Sequence, residues 1–319
     1  MKFLIAATAL LCLAAPVDFA IAQDERQKAV LITGASTGIG RNMAETLAKE
    51  GFFVYAGARK QADIDALSEI DNIMGVRLDV NVQEDIDAAV ELIRSEGRGL
   101  YGLVNNAGVG VLGPLVEIEE DDLWFQMNVN VFGPYRVTKA FAPLIIESKG
   151  RITTTGSISG ILSGFMFGPY SMSKHAVEAF TDSLALEMAK FDVAVSVIEP
   201  GNYRSAIVDT LIRRMEERGQ TSEGSLYQEE IDSMVSRFTE GYDASYYKEP
   251  DEVSAALLDF LTDDNPKRRY MVVPEERQAE VTIRKALEET VQLNERQAYT
   301  YSRDQLIAML DEILADSDD

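Results

Sequence analysis

Cysteine and histidine are almost absent from this chain of 319 residues, which contains one of each. The cysteine, Cys12, lies in an apolar segment at the N-terminus, so the remainder of the chain has no thiol. That remainder cannot form disulfide bonds, cysteine-based metal sites or a cysteine nucleophile. The histidine, His175, cannot build a histidine-rich metal site alone, and we therefore expect no metal.

Positive charge is also scarce. The chain has 30 lysine and arginine residues against 53 aspartate and glutamate residues, which gives a formal net charge of −23 at pH 7. A protein that binds nucleic acid needs a basic surface to attract the phosphates. We therefore expect no nucleic-acid partner.

The N-terminal apolar run, residues 3–15, is shorter than the ~20 residues that a membrane-spanning helix needs. Lys2 precedes this run, and the small-residue pattern Ala20-Ile21-Ala22 follows it. These features are typical of a secretory signal peptide. We predict that residues 1–22 are removed and that the mature chain is exported, periplasmic or secreted, with no stable membrane span. An uncleaved membrane anchor is the alternative.

The rest of the chain alternates between patterns of short apolar strands and helices. Strands are predicted at 28–33, 52–57, 75–78, 100–105, 151–155, 193–198 and 270–273, and helices at 41–50, 84–95, 121–148 and 252–261. Such alternation predicts an α/β fold with one Rossmann-type, doubly wound parallel sheet, helices on both faces and a ligand at the carboxyl ends of the strands. We assign 23–274 to this domain and 275–319 to a C-terminal helical extension.

A glycine-rich turn joins the first predicted strand to the first helix. Its glycines are Gly34, Gly38 and Gly40, spaced Gly-x-x-x-Gly-x-Gly. Glycine lets the backbone approach a pyrophosphate, which sits at a helix N-terminus where free N–H groups favour anions. The order of strand, turn and helix therefore predicts a dinucleotide cofactor.

The end of the second predicted strand indicates which dinucleotide is bound. In NAD-binding proteins an acidic residue about 20 positions beyond the glycine turn contacts the ribose, whereas a nearby arginine accommodates the additional phosphate of NADP. Here Ala58 and Arg59 occupy this place, and no acid does. We predict NADP(H), with NADPH preferred over NADH. A solvated surface arginine is the alternative for Arg59.

Three reactive side chains follow the strand at 151–155: Ser157, Tyr170 and Lys174. Tyr170 and Lys174 are four residues apart in a helical pattern, so both project from one helix face. A neighbouring cation lowers the pKa of a phenol and would let it serve as a general acid or base. Ser157 could orient a substrate carbonyl. With a hydride carrier, this set can interconvert an alcohol and a carbonyl compound.

The chain contains a second pair with the same spacing, Tyr135 and Lys139. This pair lies in the middle of a helical pattern. Before Tyr170 the chain has a strand-like segment, Ser157 and a loop with the glycines Gly156, Gly160, Gly164 and Gly168, whereas Tyr135 has no such elements before it. Spacing alone cannot distinguish the two pairs, whereas this context can. We interpret Tyr135 as an ordinary helix residue.

Taken together, these motifs resemble the short-chain dehydrogenase/reductase family from about residue 28 to residue 273. The motifs are Thr33-Gly34-x-x-x-Gly38-Ile39-Gly40, Asn105-Asn106-Ala107-Gly108, Asn130 followed by Gly133, Ser157, Tyr170-x-x-x-Lys174 and Pro200-Gly201. The segment 198–205 is most similar to the branch of hydroxysteroid and retinol dehydrogenases, although Ser205 stands where many members have threonine.

The resemblance implies roles for individual residues. The implied catalytic residues are Ser157, Tyr170, Lys174 and Asn130, with Asn130 positioning water in a proton relay to Lys174. The implied cofactor-binding residues are Gly34, Ser36, Thr37, Gly38, Ile39, Gly40, Arg59, Asp79, Val80, Asn106, Ala107, Gly108, Tyr170, Lys174, Pro200, Gly201 and Ser205. Relatives commonly pair through the helices around 121–148 and 170–190, so a homodimer or homotetramer is expected.

A long mixed segment between Tyr203 and Pro250 contains many apolar and aromatic residues. With Phe165, Met166 and Phe167 it could line an apolar substrate pocket under a mobile lid. Core packing of a helical excursion explains the same residues equally well.

The predicted function is NADP(H)-dependent oxidation and reduction between a primary or secondary alcohol and its aldehyde or ketone. The predicted substrate is apolar and similar to a steroid, retinoid or lipid. One alternative is a nucleotide-binding sensor or scaffold without turnover. Another is a nucleotide-sugar epimerase or dehydratase, a branch that usually has a longer substrate domain and a different glycine spacing.

Overall fold

The structure is a computed structural model that describes residues 27–219, 221–239 and 246–316. The predicted signal peptide lies outside these residues. Within the described ranges, no helix is both long enough and apolar enough to cross a membrane.

Seven parallel strands form one sheet. They are β1 (Ala29–Ile32), β2 (Phe53–Ala58), β3 (Ile73–Arg77), β4 (Gly102–Asn105), β5 (Arg151–Thr155), β6 (Ala194–Pro200) and β7 (Arg269–Val272). Their order across the sheet is β3-β2-β1-β4-β5-β6-β7. The direction of winding therefore reverses between β1 and β4, which is the point where doubly wound sheets bind ligands.

Eleven α-helices connect and follow these strands in the described chain. They are α1 (Gly38–Lys49), α2 (Gln61–Ser68), α3 (Gln83–Ser95), α4 (Glu120–Met127), α5 (Gly133–Glu147), α6 (Gly168–Met188), α7 (Ile207–Glu217), α8 (Gln228–Thr239), α9 (Asp251–Thr262), α10 (Glu276–Asn294) and α11 (Arg303–Asp316). A π-helical turn covers Asn128–Phe132, and 3₁₀ turns cover Ile158–Gly160 and Ala189–Phe191.

The hydrophobic core has two halves, one on each face of the sheet. Along β1, Ala29 and Leu31 belong to the half packed under α3, α5 and α6, while Val30 and Ile32 belong to the half packed under α1, α2 and α9. Because both faces of the strand are buried, its sequence is a continuous apolar run without alternation. The predicted doubly wound sheet with helices on both faces is confirmed.

The sequence predicted one continuous helix at 121–148, and this prediction is wrong. The structure has α4, then the π-helical turn, then α5. Pro134 lies in the first turn of α5, where a proline without an N–H is tolerated. The π-helical turn directs Asn130 inward, and such turns occur frequently at functional sites. Helix α2 was not predicted, because its eight residues bury only Ile64 and Leu67.

The C-terminal helices lie beyond the last strand. Helix α10 contacts the loop after β6, where the backbone N–H of Asn202 donates to Gln278 Oε1 at 2.9 Å, and it buries Thr282. Helix α11 has no buried side chain among its described residues. The division of the chain at residue 274 stays a prediction.

Candidate active site

The glycine-rich turn lies at the carboxyl end of β1 and has the backbone that the sequence predicts. Gly34 and Gly38 have φ angles of +65° and +55°, a region that side chains disfavour. A Cβ on Gly34 would also lie 2.8 Å from Ala107 Cα. Helix α1 begins at Gly38, and no side chain caps its N-terminus. The free N–H groups of this turn fit the pyrophosphate of a dinucleotide.

Thr33 holds a second loop against this turn, and sequence analysis assigned it no role. Its Oγ1 accepts hydrogen bonds from the backbone N–H groups of Asn106 and Ala107, each at 3.0 Å. In return, Asn106 Nδ2 donates to the carbonyls of Thr33 and Gly34 at 3.1 and 3.2 Å. The motif from Asn105 to Gly108 is thereby fixed beside the predicted cofactor site.

The other predicted cofactor residues lie at the same edge of the sheet. Arg59 follows β2, is exposed and has no hydrogen bond or ion pair to any described residue. Asp79 accepts from the backbone N–H of Asn81 at 2.9 Å. Their contacts with a cofactor stay predictions.

Other predicted cofactor-binding residues are held in position by contacts within the protein. Ser36 is half-buried and Thr37 is exposed in the glycine turn, Val80 is buried against Gly133, Ser205 packs beside Gly38, and the Gly201 N–H after Pro200 donates to Val272 O at 2.8 Å.

The structure brings together the three predicted reactive side chains. Ser157 follows β5 and is buried, and its Oγ accepts from the backbone N–H of Ser159 at 3.1 Å. Tyr170 lies in the first turn of α6, and its hydroxyl lies beside the Ser157 side chain, which acts on the phenol. Lys174 Nζ lies 5.6 Å from the centre of the Tyr170 ring and donates to the Thr155 carbonyl at 2.8 Å. The site thus combines a phenol, a hydroxyl and an ammonium group.

The predicted lowering of the Tyr170 pKa by Lys174 is wrong for this structure. The Tyr170 side chain is partly exposed, but enough protein surrounds it for burial to raise its pKa. The hydrogen bond from Ser157 acts in the opposite direction and is the smaller effect. Burial also lowers the pKa of Lys174 to about 8, partly offset by Glu178. Tyr170 therefore keeps its proton at neutral pH, the state required for donation to a carbonyl.

Asn130 connects the site to the loop after β4. Its Oδ1 accepts from the backbone N–H of Val109 at 2.9 Å, and its Nδ2 donates to Val109 O at 3.0 Å and to Ser173 Oγ at 3.1 Å. Gln126 makes parallel contacts with Val109 O and Ser173 Oγ. Gln126 was not predicted as a site residue, because no motif distinguishes it from a polar helix residue.

The control pair, Tyr135 and Lys139, shows what spacing alone produces. Lys139 Nζ lies 5.9 Å from the centre of the Tyr135 ring, nearly the same separation as between Lys174 and Tyr170. Tyr135 is 49% exposed on the surface of α5, with no hydroxyl beside it among the described contacts. Tyr135 thus lies on an exposed helix surface, and the interpretation that it has no catalytic role stays a prediction.

A cavity of about 900 Å³ lies next to the loop that precedes Tyr170. Its walls come from that loop, from α8 and from the segment before α9: Phe165, Met166, Phe167, Glu229, Glu230, Ser233, Met234, Arg237, Phe238, Tyr246 and Tyr247. Other apolar residues of the excursion, such as Leu211, are buried as core. The segment therefore contributes residues both to a cavity wall and to the core, while a substrate pocket under a mobile lid stays a prediction. Tyr170 and Ser157 do not line the cavity, and Tyr242 lies outside the described residues.

Helix α7 is tied to α4 by a buried carboxylate. Asp122 accepts from Arg214 at 2.6 Å and lies 3.5 Å from Arg218. The guanidinium of Arg214 also lies 3.8 Å from the centre of the Phe125 ring. These contacts fasten α7, the helix that follows Ser205, to α4.

The sequence profile described as short chain dehydrogenase matches residues 28–216. The chain belongs to the short-chain dehydrogenase family. It is therefore an oxidoreductase that acts on CH–OH groups and uses a nicotinamide dinucleotide, which the glycine turn is shaped to accept.

Relatives and solved structures agree with this family. The chain is 36% identical to mitochondrial D-beta-hydroxybutyrate dehydrogenase from Bos taurus over 263 residues, which covers 76% of each chain. It is 31% identical to retinol dehydrogenase 16 from Rattus norvegicus, over 77% of this chain and 80% of the relative. A short-chain dehydrogenase structure from Streptomyces avermitilis matches with a TM-score of 0.70 and 27% identity, over 85% of this chain and 96% of that one.

The raised pKa of Tyr170 predicts how the rate of alcohol oxidation depends on pH. Oxidation requires the deprotonated phenol as base, and its fraction grows as pH approaches the raised pKa. The rate of oxidation should therefore increase continuously between pH 7 and pH 10, because the phenolate fraction grows about tenfold for each pH unit below the pKa. Initial rates measured across this range in one buffer system test this. A plateau reached below pH 8 would instead mean that the cation of Lys174 outweighs burial.

Proposed function

We propose that this chain is an NADP(H)-dependent oxidoreductase that interconverts a primary or secondary alcohol and its aldehyde or ketone on an apolar substrate. The observation that supports this most strongly is the contact between the hydroxyls of Ser157 and Tyr170 beside the ammonium of Lys174. These groups stand at the carboxyl edge of the sheet, as the glycine turn does. A binding protein without turnover has no need for a protonated phenol beside a hydroxyl.

When bound, the nicotinamide would deliver a hydride to the carbonyl carbon or remove one from the alcohol carbon. In the direction of reduction, Tyr170 gives its proton to the carbonyl oxygen as the carbon gains the hydride. Ser157 holds the same oxygen by a hydrogen bond, which fixes the carbonyl and stabilises the charge that develops on it. In oxidation, the Tyr170 phenolate removes the hydroxyl proton.

Lys174 would return the proton to Tyr170, and Asn130 would support this relay without carrying the proton. The Lys174 side chain lies between the Tyr170 ring and the Thr155 carbonyl, and with a pKa of about 8 it can both give and accept a proton near neutral pH. The amide of Asn130 is engaged by Val109 and Ser173. Asn130 therefore supports a relay by holding the helix turn and the neighbouring loop, not through a free amide.

An exposed and unpartnered Arg59 supports the preference for NADPH. It follows Ala58, which pairs in the sheet register with Arg77 of β3. The guanidinium of Arg77 donates to Asp85 at 3.0 Å, whereas Arg59 has no carboxylate partner among the described residues. A free guanidinium at the end of β2 suits the 2′-phosphate of NADP.

Replacing Arg59 with alanine should weaken NADPH binding by ~1.5–3 kcal/mol, because a charge-assisted contact is lost, and should barely affect NADH. Arg94→Ala is the control, since it removes an equal charge from the exposed face of α3, where Arg94 pairs with Glu91 away from the predicted cofactor residues, and it should leave both affinities unchanged. Titration of each cofactor by fluorescence measures the dissociation constants. Equal losses for NADPH and NADH in the Arg59 variant would place this arginine away from the 2′-phosphate.

An apolar substrate is supported by the lining of the cavity near Tyr170. A volume of about 900 Å³ falls in the range of sites for drug-sized ligands, and most of its wall is aromatic or aliphatic. Relatives named as 3beta-hydroxysteroid and retinol dehydrogenases have substrates of this size and polarity. We propose a steroid-, retinoid- or lipid-like alcohol.

The duplicated tyrosine and lysine pairs allow the proton donor to be tested with an internal control. Tyr170→Phe keeps the ring but deletes the transferable proton, so kcat should fall at least ~10²–10⁴-fold while NADPH affinity is retained. Tyr135→Phe removes the same atom at the same spacing and should leave kcat near the wild-type value. Steady-state kinetics on one carbonyl substrate and an NADPH titration provide both quantities.

Lys174→Ala extends this test, because it should lower both kcat and cofactor affinity. If Tyr135→Phe lost the activity while Tyr170→Phe kept it, the assignment of the active site to α6 would be wrong.

We further propose a homodimer or homotetramer. Trp124 and Phe132 stack with ring centres 5.8 Å apart on the outer surface of α4 and the π-helical turn, and Trp124 is 55% exposed. Exposed aromatic residues on a helix surface are typical of subunit contacts. Light scattering should give two or four times the chain mass. Trp124→Glu should lower that mass, and Leu293→Glu, on exposed α10, should not.

Export remains a proposal that rests on the N-terminal pattern of Lys2, the apolar run and Ala20-Ile21-Ala22. Protein isolated from its native host should begin at Gln23, as measured by N-terminal sequencing or intact mass. Retention in the membrane with Met1 still present would instead establish an anchor.

A further inference from the structure

Two glutamates meet beneath the segment that carries Ser157. Glu178 lies on α6, one helical turn beyond Lys174, and Glu199 lies on β6, where it is 2% exposed. The two side chains are neighbours: a Cβ on Gly156 would lie 3.0 Å from Glu178 Oε1 and 3.4 Å from the carbonyl oxygen of Ile198, the residue before Glu199, and the charge of Glu199 acts on the Glu178 carboxyl. The Oε1 atom of each is fully buried, and neither receives a hydrogen bond from any donor in the described chain. Two adjacent carboxylates that each bury one oxygen without a donor repel each other strongly.

The carboxyl group of Glu178 supports the loop between β5 and α6. A Cβ on Gly156 would lie 3.0 Å from Glu178 Oε1, and a Cβ on Gly160 would lie 2.8 Å from the same atom. The glycines therefore let the backbone on both sides of Ser157 rest directly on this carboxyl. A movement of Glu178 would displace the segment from Gly156 to Gly160, and with it the Ser157 hydroxyl.

Several charged groups surround the pair. On β7, Arg269 donates to Glu178 Oε2 at 3.1 Å and to Asp182 at 2.7 Å, and Arg268 lies 3.7 Å from Asp182. On α6, Lys174 precedes Glu178 by one turn and Asp182 follows by one turn. Arg269 is thus shared between Glu178 and Asp182, which leaves too little positive charge to neutralise two ionised glutamates.

We propose that Glu178 and Glu199 share one proton, and that this pair positions the Ser157 segment for catalysis. The proton supplies the hydrogen-bond donor that the two buried oxygens otherwise lack. It also leaves a single negative charge, which Arg269 balances. Loss of the proton would drive the two carboxylates apart and move the loop that rests on Glu178. The positioning role rests on the proposed function of Ser157, whereas the shared proton does not.

The protonation of the pair has a consequence for stability. Burial, followed by the charge of Glu199, raises the pKa of Glu178 to about 8, against the smaller effect of Arg269. Burial also raises the pKa of Glu199. In the unfolded chain a glutamate loses its proton near pH 4.5, so the folded state holds an extra proton above that value. Stability should therefore decrease as pH rises from about 4.5 to about 8.

Urea unfolding between pH 5 and pH 9 tests the shared proton without substrate or cofactor. Glu178→Gln replaces the proton with a permanent amide donor of the same shape. The wild-type midpoint should fall relative to that of Glu178→Gln as pH rises to about 8, and Glu199→Gln should match Glu178→Gln. Asp182→Asn also removes a partner of Arg269 but leaves the pair intact, so its midpoint should follow the wild type. If the urea midpoints of the wild type and of both glutamine variants changed with pH in the same way, the proposal would be contradicted.

Kinetics at pH 7 tests the positioning role. Glu178→Ala should lower kcat about 10–100-fold with little change in NADPH affinity, because the Ser157 segment loses its support. Glu178→Gln should restore kcat to within about threefold of the wild type. A Glu178→Ala enzyme with wild-type kcat would contradict positioning. A wild type that reduces no carbonyl compound would contradict the proposed function and the positioning role, while the urea curves would still decide whether the proton is shared.

Discussion

The attachment of helix α6 to the end of strand β5 is the constraint on which the rest of the site depends. Lys174 makes this attachment by donating to the Thr155 carbonyl at 2.8 Å. On the same face of the helix, Tyr170 meets Ser157, Ser173 accepts from Asn130, and Glu178 lies under the loop between β5 and α6. Successive turns of one helix thus bind different segments of the chain, which the i, i+4 geometry of a helix allows. The position of the phenol follows from all of these contacts together.

Burial destabilises the charged forms of the side chains in this site, and it thereby shifts the pKa values on which proton transfer depends. A buried ammonium or phenolate is expensive, so the pKa of Lys174 falls to about 8 and that of Tyr170 rises. The same burial makes each hydrogen bond around the site matter more, because an unpaired polar group in a low dielectric is costly. The side chains of Thr33, Asn106 and Gln126 provide hydrogen-bond partners for backbone groups of the segments that follow β1 and β4. The result is a preorganised site in which proton transfer is possible near neutral pH.

Local patterns in the sequence predicted the fold and much of the site, and tertiary effects account for what they missed. The alternation of strands and helices was visible because strands such as β1 are buried on both faces, and the glycine turn and Tyr170 were visible because their chemistry depends on local spacing. Gln126, Glu178 and Glu199 lie in ordinary helix or strand patterns, and only the fold brings them together. The pKa of Tyr170 was predicted in the wrong direction, because spacing reports the neighbouring cation and not the burial of the hydroxyl.

We propose that this chain reduces a carbonyl compound by hydride transfer while Tyr170 supplies the proton. The most direct measurement is isotope transfer from NADPH that carries deuterium at the reactive C4 position, with a panel of apolar ketones and aldehydes. Mass spectrometry should detect product alcohols from the wild type with one deuterium on the carbinol carbon. Tyr170→Phe should yield only trace product. Tight NADPH binding without deuterated product from any compound, or equal product from wild type and Tyr170→Phe, would contradict the proposal.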